Sequence, residues 1–198
     1  MGQPSNQRPD LVDRWSQLHQ GLVPSPLVRV WLRPMWTLAR PLAALRVPPT
    51  AVTVAGVGLA VAALLVAGRW PLVALVLVLA AAVADGVDGA IAVVADRASR
   101  FGAVADAVAD RIADTAFALT IWRCGAPWWL AATAAALSLV LELGRPPRVI
   151  TVAERPTRVI CTALACVSAA VSEATWPPTV CAGVWVGATA VAIGQITS

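Results

Sequence analysis

Residues 85–114 read DGVDGAIAVVADRASRFGAVADAVADRIAD, and this stretch determines how the rest of the chain is interpreted. The chain contains eleven Asp and Glu, and six of them lie in these thirty residues, among Ala, Val and Ile. A carboxylate at membrane depth is costly unless it is paired, protonated or bound to a cation. We therefore interpret the concentration of acids as a functional site.

The acids fall into two sets with helical spacing, three residues apart in the first set and four apart in the second. These are Asp85 and Asp88, then Asp106, Asp110 and Asp114. Side chains at such intervals lie on one face of a helix. The short polar segment from Ala95 to Arg100 is long enough to reverse the chain. The pattern predicts two antiparallel helices whose acidic faces are turned toward each other.

Four of these acids would converge on one cavity between the helices. They are Asp85, Asp88, Asp106 and Asp110. Several hard oxygen ligands together suit Mg²⁺ or Mn²⁺, and Mg²⁺ is commonly shared between a few carboxylates and the phosphates of a substrate. Gly89 and Gly102 lie beside the acids, and a helix face without side chains lets a ligand approach the backbone. The stretch therefore predicts a divalent metal site that binds a diphosphate.

The same spacing resembles a known family. The pattern D-x-x-D-G-x-x-A-R-x(8)-G-x(3)-D-x(3)-D marks the CDP-alcohol phosphatidyltransferases, and residues 85–110 follow it with the eight-residue gap intact. The matching residues are Asp85, Asp88, Gly89, Ala92, Gly102, Asp106 and Asp110. One position departs from the pattern, because Val93 stands where the family has Arg, and Arg97 is the next base, one helical turn later. Hydropathy extends the similarity over roughly residues 27–198.

The resemblance implies a membrane transferase that moves a phosphatidyl group from CDP-diacylglycerol to an alcohol and releases CMP. It implies two divalent ions, Mg²⁺ or Mn²⁺, at the converging carboxylates. The metal ligands would be Asp85, Asp88, Asp106 and Asp110. In families like this one the last Asp is the general base for the acceptor hydroxyl, which corresponds to Asp110. Gly89, Ala92 and Gly102 would line the nucleotide, and the protein would be a homodimer.

Composition places the chain in the membrane class. It is 59% hydrophobic and 13% charged, with a mean hydropathy of +0.74, which is far too apolar for a soluble domain of average composition. One domain is expected at a length of 198 residues. The net charge of +4 does not by itself indicate a nucleic acid partner, and membrane lipids are the expected surroundings. The four Cys form no C-x-x-C pair and are predicted to be buried thiols.

Six apolar segments come near the ~20 residues that a bilayer requires. They are Thr50 to Ala67, Pro71 to Val94, Phe101 to Trp122, Pro127 to Leu143, Thr157 to Val171, and Pro177 to Ile196. The fifth segment is short, and the sixth is only a weak candidate for a membrane span. Gly, Pro and Trp residues punctuate the outer turns, with Trp where interfacial belts occur. We therefore expect an all-α integral membrane protein with six transmembrane helices.

An N-terminal region precedes these segments. Residues 1–26 are polar, contain no apolar run of signal-peptide length, and are expected to be a cytoplasmic tail. From Leu27 to Leu45, Arg residues fall on one side of a helical wheel and Leu residues on the other, which predicts an amphipathic helix on the membrane surface, with a solvated linker as the alternative. Pro34 and Pro41 would kink or divide this helix. Residues 27–198 are thus expected to form one membrane domain.

The Arg residues predict the orientation. Twelve lie on one side of the expected topology, and they are Arg8, Arg14, Arg29, Arg33, Arg40, Arg46, Arg97, Arg100, Arg145, Arg148, Arg155 and Arg158. Only Arg69 and Arg123 lie on the opposite side. By the positive-inside rule, both termini and the mouth of the acidic hairpin face the cytoplasm of a multi-pass protein in the cell membrane.

The segment from Leu143 to Arg158, LGRPPRVITVAERPTR, holds four Arg beside the expected acidic cavity. Guanidinium groups bind phosphate in a bidentate manner, so the segment suits the phosphate of an acceptor. Positive-inside topology with anionic lipids explains the same Arg residues. The resemblance favours Arg155 and Arg158 as contacts, since similar proteins bind phosphorylated acceptors with basic residues here. Arg111 is expected to pair with the acid cluster.

The most favoured function is therefore phosphatidyl transfer in phospholipid biosynthesis. Inositol phosphate, glycerol 3-phosphate and phosphatidylglycerol all fit as acceptors, and the Arg-rich segment favours a phosphorylated one. Two alternatives stay open. Val93 is compatible with a non-catalytic relative that binds lipid or metal, and the intramembrane acids are compatible with a small cation transporter.

Overall fold

The computed structural model describes residues 26–94, 100–144 and 155–197. Within these ranges the chain forms seven α-helices and no strand. The helices are α1 (Pro26–Ala44), α2 (Pro49–Val66), α3 (Pro71–Val94), α4 (Arg100–Arg123), α5 (Trp128–Gly144), α6 (Arg155–Val171) and α7 (Trp176–Thr197). Each of the six apolar segments predicted from the sequence coincides with one of the helices α2 to α7, with ends that agree within two residues.

Three of these helices are long and apolar enough to cross a bilayer by length and composition. They are α2, α3 over Pro71–Ile91, and α7, which the sequence had indicated only weakly. Helix α5 is apolar but shorter. Helix α4 falls outside this set because Asp106, Asp110, Arg111 and Asp114 lower its mean hydropathy, and α6 is shorter, with 17 residues that include Arg155 and Arg158.

Several predictions from the sequence lie outside the described residues. Residues 1–25 of the predicted tail 1–26, residues 95–99 of the predicted turn and residues 145–154 of the Arg-rich segment are outside the described part. Helix α1 is described, and it continues through Pro34 and Pro41 without being divided.

The distribution of large and small apolar residues is the reverse of that in a soluble domain. Buried positions of the main core are dominated by Ala, with Phe117 and Trp185 among the few large residues. Large aliphatic side chains such as Val54, Leu65 and Leu72 are instead exposed. Small residues allow helices to approach closely where lipid removes the usual hydrophobic driving force. The distribution is that of a membrane protein whose outer surface meets acyl chains.

The connection after α4 shows how the sequence ends a helix. Gly125 has φ +115°, in the left-handed region that favours glycine. Its amide donates to the carbonyl of Trp122, and the next amide, of Ala126, donates to that of Ile121. This pair of hydrogen bonds is a Schellman motif. Pro127 follows and prevents the helix from continuing, so the chain turns back into α5.

Helix α4 lies at the centre of the bundle, where it packs against α2, α5, α6 and α7. The two helices that carry the acids, α3 and α4, make few close backbone contacts with each other, whereas α2 and α6 each pack against both. The backbones of α3 and α4 are therefore held apart by their neighbours. This separation leaves room for the acidic side chains between them.

Candidate active site

Three carboxylates from the two acid-bearing helices meet between α3 and α4. Oxygen atoms of Asp85, Asp88 and Asp106 all lie within 4.8 Å of one another. Asp88 is buried, with 5% of its surface exposed. Because i, i+3 positions share a helix face, α3 presents Asp85 and Asp88 together, as their spacing predicted. The set offers the hard oxygen ligands that Mg²⁺ and Mn²⁺ prefer, so the residues fit such an ion.

Asp110 joins this group through an arginine. The Nη1 group of Arg155, the first residue of α6, donates to Oδ1 of Asp85 and to Oδ1 of Asp110. Arg155 therefore bridges α3 and α4 across the space between them. We call Asp85, Asp88, Asp106 and Asp110 the acid cluster. Arg155, which the sequence predicted as a phosphate contact, lies directly against it.

Thr53 is a site residue that the sequence analysis missed. Its hydroxyl donates to Oδ2 of Asp88 over 2.6 Å and lies 3.2 Å from the carbonyl oxygen of Pro49. The hydroxyl thereby orients the carboxylate of Asp88 from the neighbouring helix α2. A signal was present, because Thr53 is a polar residue in an apolar span and lies one turn after Pro49, where α2 begins.

A small cavity connects these groups. Its lining includes Thr53, Gly56, Asp85, Asp88, Asp110 and Arg155. A Cβ at Gly56 would lie 3.3 Å from that of Ala84, so the absent side chain permits the close approach of α2 to α3 beside the acids. A Cβ at Gly89 would meet nothing within 4 Å, which is consistent with open space for a ligand there. Gly102 is half-buried, and the side chains of Ala92 and Val93 lie outside the described part.

A larger groove lies outside this cavity. It has a volume of about 790 Å³ and is walled by α2, α4 and α5. Its lining is apolar except for Arg111 and Thr115. Such a lining suits acyl chains better than a nucleotide, so the acidic cavity is the candidate site for the chemistry.

The second predicted phosphate contact, Arg158, lies elsewhere. Its side chain is buried and donates to Oδ2 of Asp114 and, over 2.9 Å, to Oε1 of Glu142. Arg111 contributes another contact to Glu142, with Nη2 3.4 Å from Oε2, and lies 3.6 Å from Asp110. Arg111 thus touches the acid cluster, as predicted, but also the neighbouring group. We call Arg111, Asp114, Glu142 and Arg158 the charge quartet.

The electrostatics of the acid cluster favour cations. Of its four carboxylates, Asp85 and Asp110 are paired with Arg155, and Arg111 lies 3.6 Å from Asp110. Carboxylates at this separation repel one another, and an additional cation relieves that repulsion. The cluster can therefore hold a divalent ion together with the negative charge of a diphosphate.

The fold and this site define the class: a helical membrane protein whose bundle encloses a carboxylate site suited to divalent cations and phosphates. The model of the CDP-alcohol phosphatidyltransferase family matches residues 46–195, about three quarters of the chain. The chain belongs to the CDP-alcohol phosphatidyltransferase family. A search of curated proteins finds no match to the chain.

Family membership establishes the general activity. Members are membrane transferases of phospholipid biosynthesis that act on a CDP-alcohol and an alcohol. They typically depend on a divalent cation, and the described part of the chain contains a fitting Asp group. The matched range, residues 46–195, contains every member of the acid cluster and both Arg155 and Arg158.

Proposed function

We propose that this protein transfers a phosphatidyl group from CDP-diacylglycerol to a phosphorylated polyol, such as inositol phosphate or glycerol 3-phosphate, and releases CMP. The observation that carries the proposal is the meeting of Asp85, Asp88 and Asp106 beside Asp110 and Arg155. A diphosphate needs cations beside it, and a phosphorylated acceptor needs a base and a cationic contact. This cavity supplies groups for all three requirements.

The proposed membrane arrangement has six transmembrane helices, α2 to α7, with α1 on the cytoplasmic surface. The described part of α1 supports this, because Met35 and Ala39 are buried against α3 while Leu38 is exposed. Residues 1–26 would form a cytoplasmic tail and residues 27–198 one membrane domain, with both termini and the site facing the cytoplasm. The Arg distribution supports this orientation. By resemblance, the protein would be a homodimer.

Asp85, Asp88, Asp106 and Asp110 would hold two divalent ions. Bound there, Mg²⁺ or Mn²⁺ would neutralise the diphosphate and stabilise the CMP leaving group. The hydroxyl of Thr53 would keep the carboxylate of Asp88 in a fixed orientation, as hydrogen-bond donors behind metal ligands do. Gly89, Ala92 and Gly102 would line the nucleotide, and the open face at Gly89 supports that placement.

Asp110 would accept the proton of the acceptor hydroxyl, which then attacks the phosphorus of the phosphatidyl group. Arg155 contacts Asp110 directly, so an acceptor phosphate bound by Arg155 would bring its hydroxyl near that carboxylate. A guanidinium has further N–H donors for a phosphate while one nitrogen stays near the acids. This geometry supports a phosphorylated acceptor over a neutral one.

The decisive experiment measures CMP release by the purified chain in lipid, with CDP-diacylglycerol, Mn²⁺ and a panel of acceptors. We expect CMP and a new phospholipid with inositol phosphate or glycerol 3-phosphate. Release only with a non-phosphorylated alcohol would contradict the proposed acceptor class. The absence of CMP with every acceptor would favour a non-catalytic relative, and cation flux without CMP would favour a transporter.

A further inference from the structure

The charge quartet joins three helices at a buried level of the bundle. Arg158 on α6 is 2% exposed and Asp114 on α4 is 5% exposed. Arg158 also holds Glu142 on α5, which in turn contacts Arg111 on α4. The quartet has two cationic and two anionic side chains, and each one faces an opposite charge. Its charges are paired within the protein, although Oδ1 of Asp114 and Nε of Arg158 are buried without a hydrogen-bond partner.

Arg158 is therefore unsuited to bind a substrate. To reach an acceptor, its guanidinium would have to leave Asp114 and Glu142, and both carboxylates have little access to water. Abandoning a buried charge without a partner is strongly unfavourable. Arg155 differs in this respect, because it lines the small cavity beside the acid cluster, and its side chain is 24% exposed whereas that of Arg158 is 3% exposed. The two Arg residues have similar sequence settings but different surroundings.

The quartet and the acid cluster are nonetheless connected by helix geometry. Asp114 follows Asp110 by one turn on α4, and Arg158 follows Arg155 by about one turn on α6. Asp110 contacts Arg155 and Asp114 contacts Arg158, so the two helices are joined by two successive ionic contacts. The buried contact fixes how far α6 is shifted along α4. That shift decides where the guanidinium of Arg155 lies.

We propose that Arg158 is a positioning residue, which acts with Asp114 and Glu142 to hold Arg155 over the acid cluster and does not contact the acceptor. The proposal rests on the proposed function only for what Arg155 binds. The position of Arg155 itself can be measured without any substrate.

Phenylglyoxal, which modifies accessible guanidinium groups, provides the test on the native chain in lipid vesicles. Peptide mapping by mass spectrometry resolves the two sites. We expect slow labelling of Arg155, slowed further by inorganic phosphate, and no labelling of Arg158 while the protein is folded. Labelling of Arg158 that phosphate prevents would overturn the proposal. If phosphate fails to protect Arg155, the proposed acceptor class is contradicted, whereas the positioning role is not.

Two variants then test the connection between the residues. Arg158→Gln leaves Asp114 unpaired, so the start of α6 should loosen and Arg155 should label about tenfold faster. The double variant Asp114→Asn with Arg158→Gln removes both charges and lets two amides pair, so the rate should return to within about threefold of wild type. Recovered thermal stability without recovery of the Arg155 rate would overturn the proposal. If Arg158→Gln does not fold, the double variant and the native labelling still decide.

Discussion

The acid cluster and the charge quartet share helices α4 and α6 and lie one helical turn apart, yet their charges are balanced differently. In the cluster, Arg155 is paired with two of the four carboxylates, and the side chains of Asp85, Asp110 and Arg155 are about one quarter exposed. In the quartet, two carboxylates face two guanidinium groups, and Arg158 and Asp114 are almost completely buried. The cluster therefore has excess negative charge that an external cation can balance. The quartet balances its charges internally, although Oδ1 of Asp114 and Nε of Arg158 have no hydrogen-bond partner.

The difference separates two roles for intramembrane charge. An ionic group that is balanced within the protein can tie helices together, although replacing it by apolar residues is often neutral for stability. A group with excess negative charge is costly at membrane depth, and this cost is relieved when a cation or a ligand binds. The balance of charge, more than the number of acids, thus distinguishes the candidate site from its supporting contacts.

The largest effect on activity is expected from chelation, which tests whether the acid cluster needs an external divalent cation. Excess EDTA should abolish phosphatidyl transfer, because the carboxylates need a divalent cation to hold the diphosphate. Helical content measured by circular dichroism should persist, since the quartet contains its own counter-ions. Activity is measured as CMP release before and after addition of Mn²⁺. Full turnover in excess chelator would remove the metal from the proposed mechanism.

The next effect compares equivalent substitutions in the two groups. Asp110→Asn keeps the volume and one oxygen ligand but cannot accept the hydroxyl proton, so the single-turnover rate should fall by about 10²–10⁴ with CDP-diacylglycerol binding retained. Asp114→Asn, one turn further, should instead lower the unfolding temperature by leaving the buried Arg158 short of a partner. Asp85→Asn should weaken metal and nucleotide binding together.

These three variants are measured for nucleotide affinity and single-turnover rate at saturating Mn²⁺. A near wild-type rate for Asp110→Asn would show that another group takes the proton. An equal loss of nucleotide binding in Asp110→Asn and Asp85→Asn would mean that base and ligand roles are not divided between them.

A smaller effect is expected at Arg155. Arg155→Ala should raise the KM for the acceptor by about 10- to 100-fold, with little change in the KM for CDP-diacylglycerol, because a charged hydrogen bond to the acceptor phosphate is lost. Arg123→Ala is the matched control, because Arg123 lies in the last turn of α4, far along the helix from Asp106 and Asp110. This variant should leave both KM values near wild type. Equal increases for both substrates would assign Arg155 to folding or topology.

The sequence could predict what depends on short-range spacing. The i, i+3 and i, i+4 intervals were sufficient to place the acids on helix faces, and hydropathy located helices α2 to α7. The spacing predicted that four carboxylates converge. The structure brings Asp85, Asp88 and Asp106 together, and Asp110 is joined to Asp85 through Arg155. Buried thiols were predicted for all four Cys, and Cys124, Cys161 and Cys166 are buried whereas Cys181 is only partly buried.

The remaining features depend on contacts between distant segments. Arg155 and Arg158 are equivalent in the sequence, and they differ only because the position of α6 along α4 places one at the cavity and the other against Asp114. This position is set by side chains more than forty residues apart. Likewise, α3 and α4 make few direct contacts, and α2 and α6 each pack against both of them. The prediction of an antiparallel pair of acidic helices did not include these intervening helices.

The smallest effect is expected at Thr53, where a single hydrogen bond to the acid cluster can be removed and its effect on Mn²⁺ affinity measured. Thr53→Val keeps the shape of the side chain and removes the hydroxyl that donates to Asp88. The loss of one hydrogen bond of about 1 kcal/mol should weaken Mn²⁺ binding roughly fivefold. Thr53→Ser keeps the donor and should bind Mn²⁺ nearly as wild type does. Titration calorimetry of the full chain without substrates measures both. Because Asp88 is buried and has this donor on α2, unchanged Mn²⁺ affinity in Thr53→Val would place the metal on the other carboxylates.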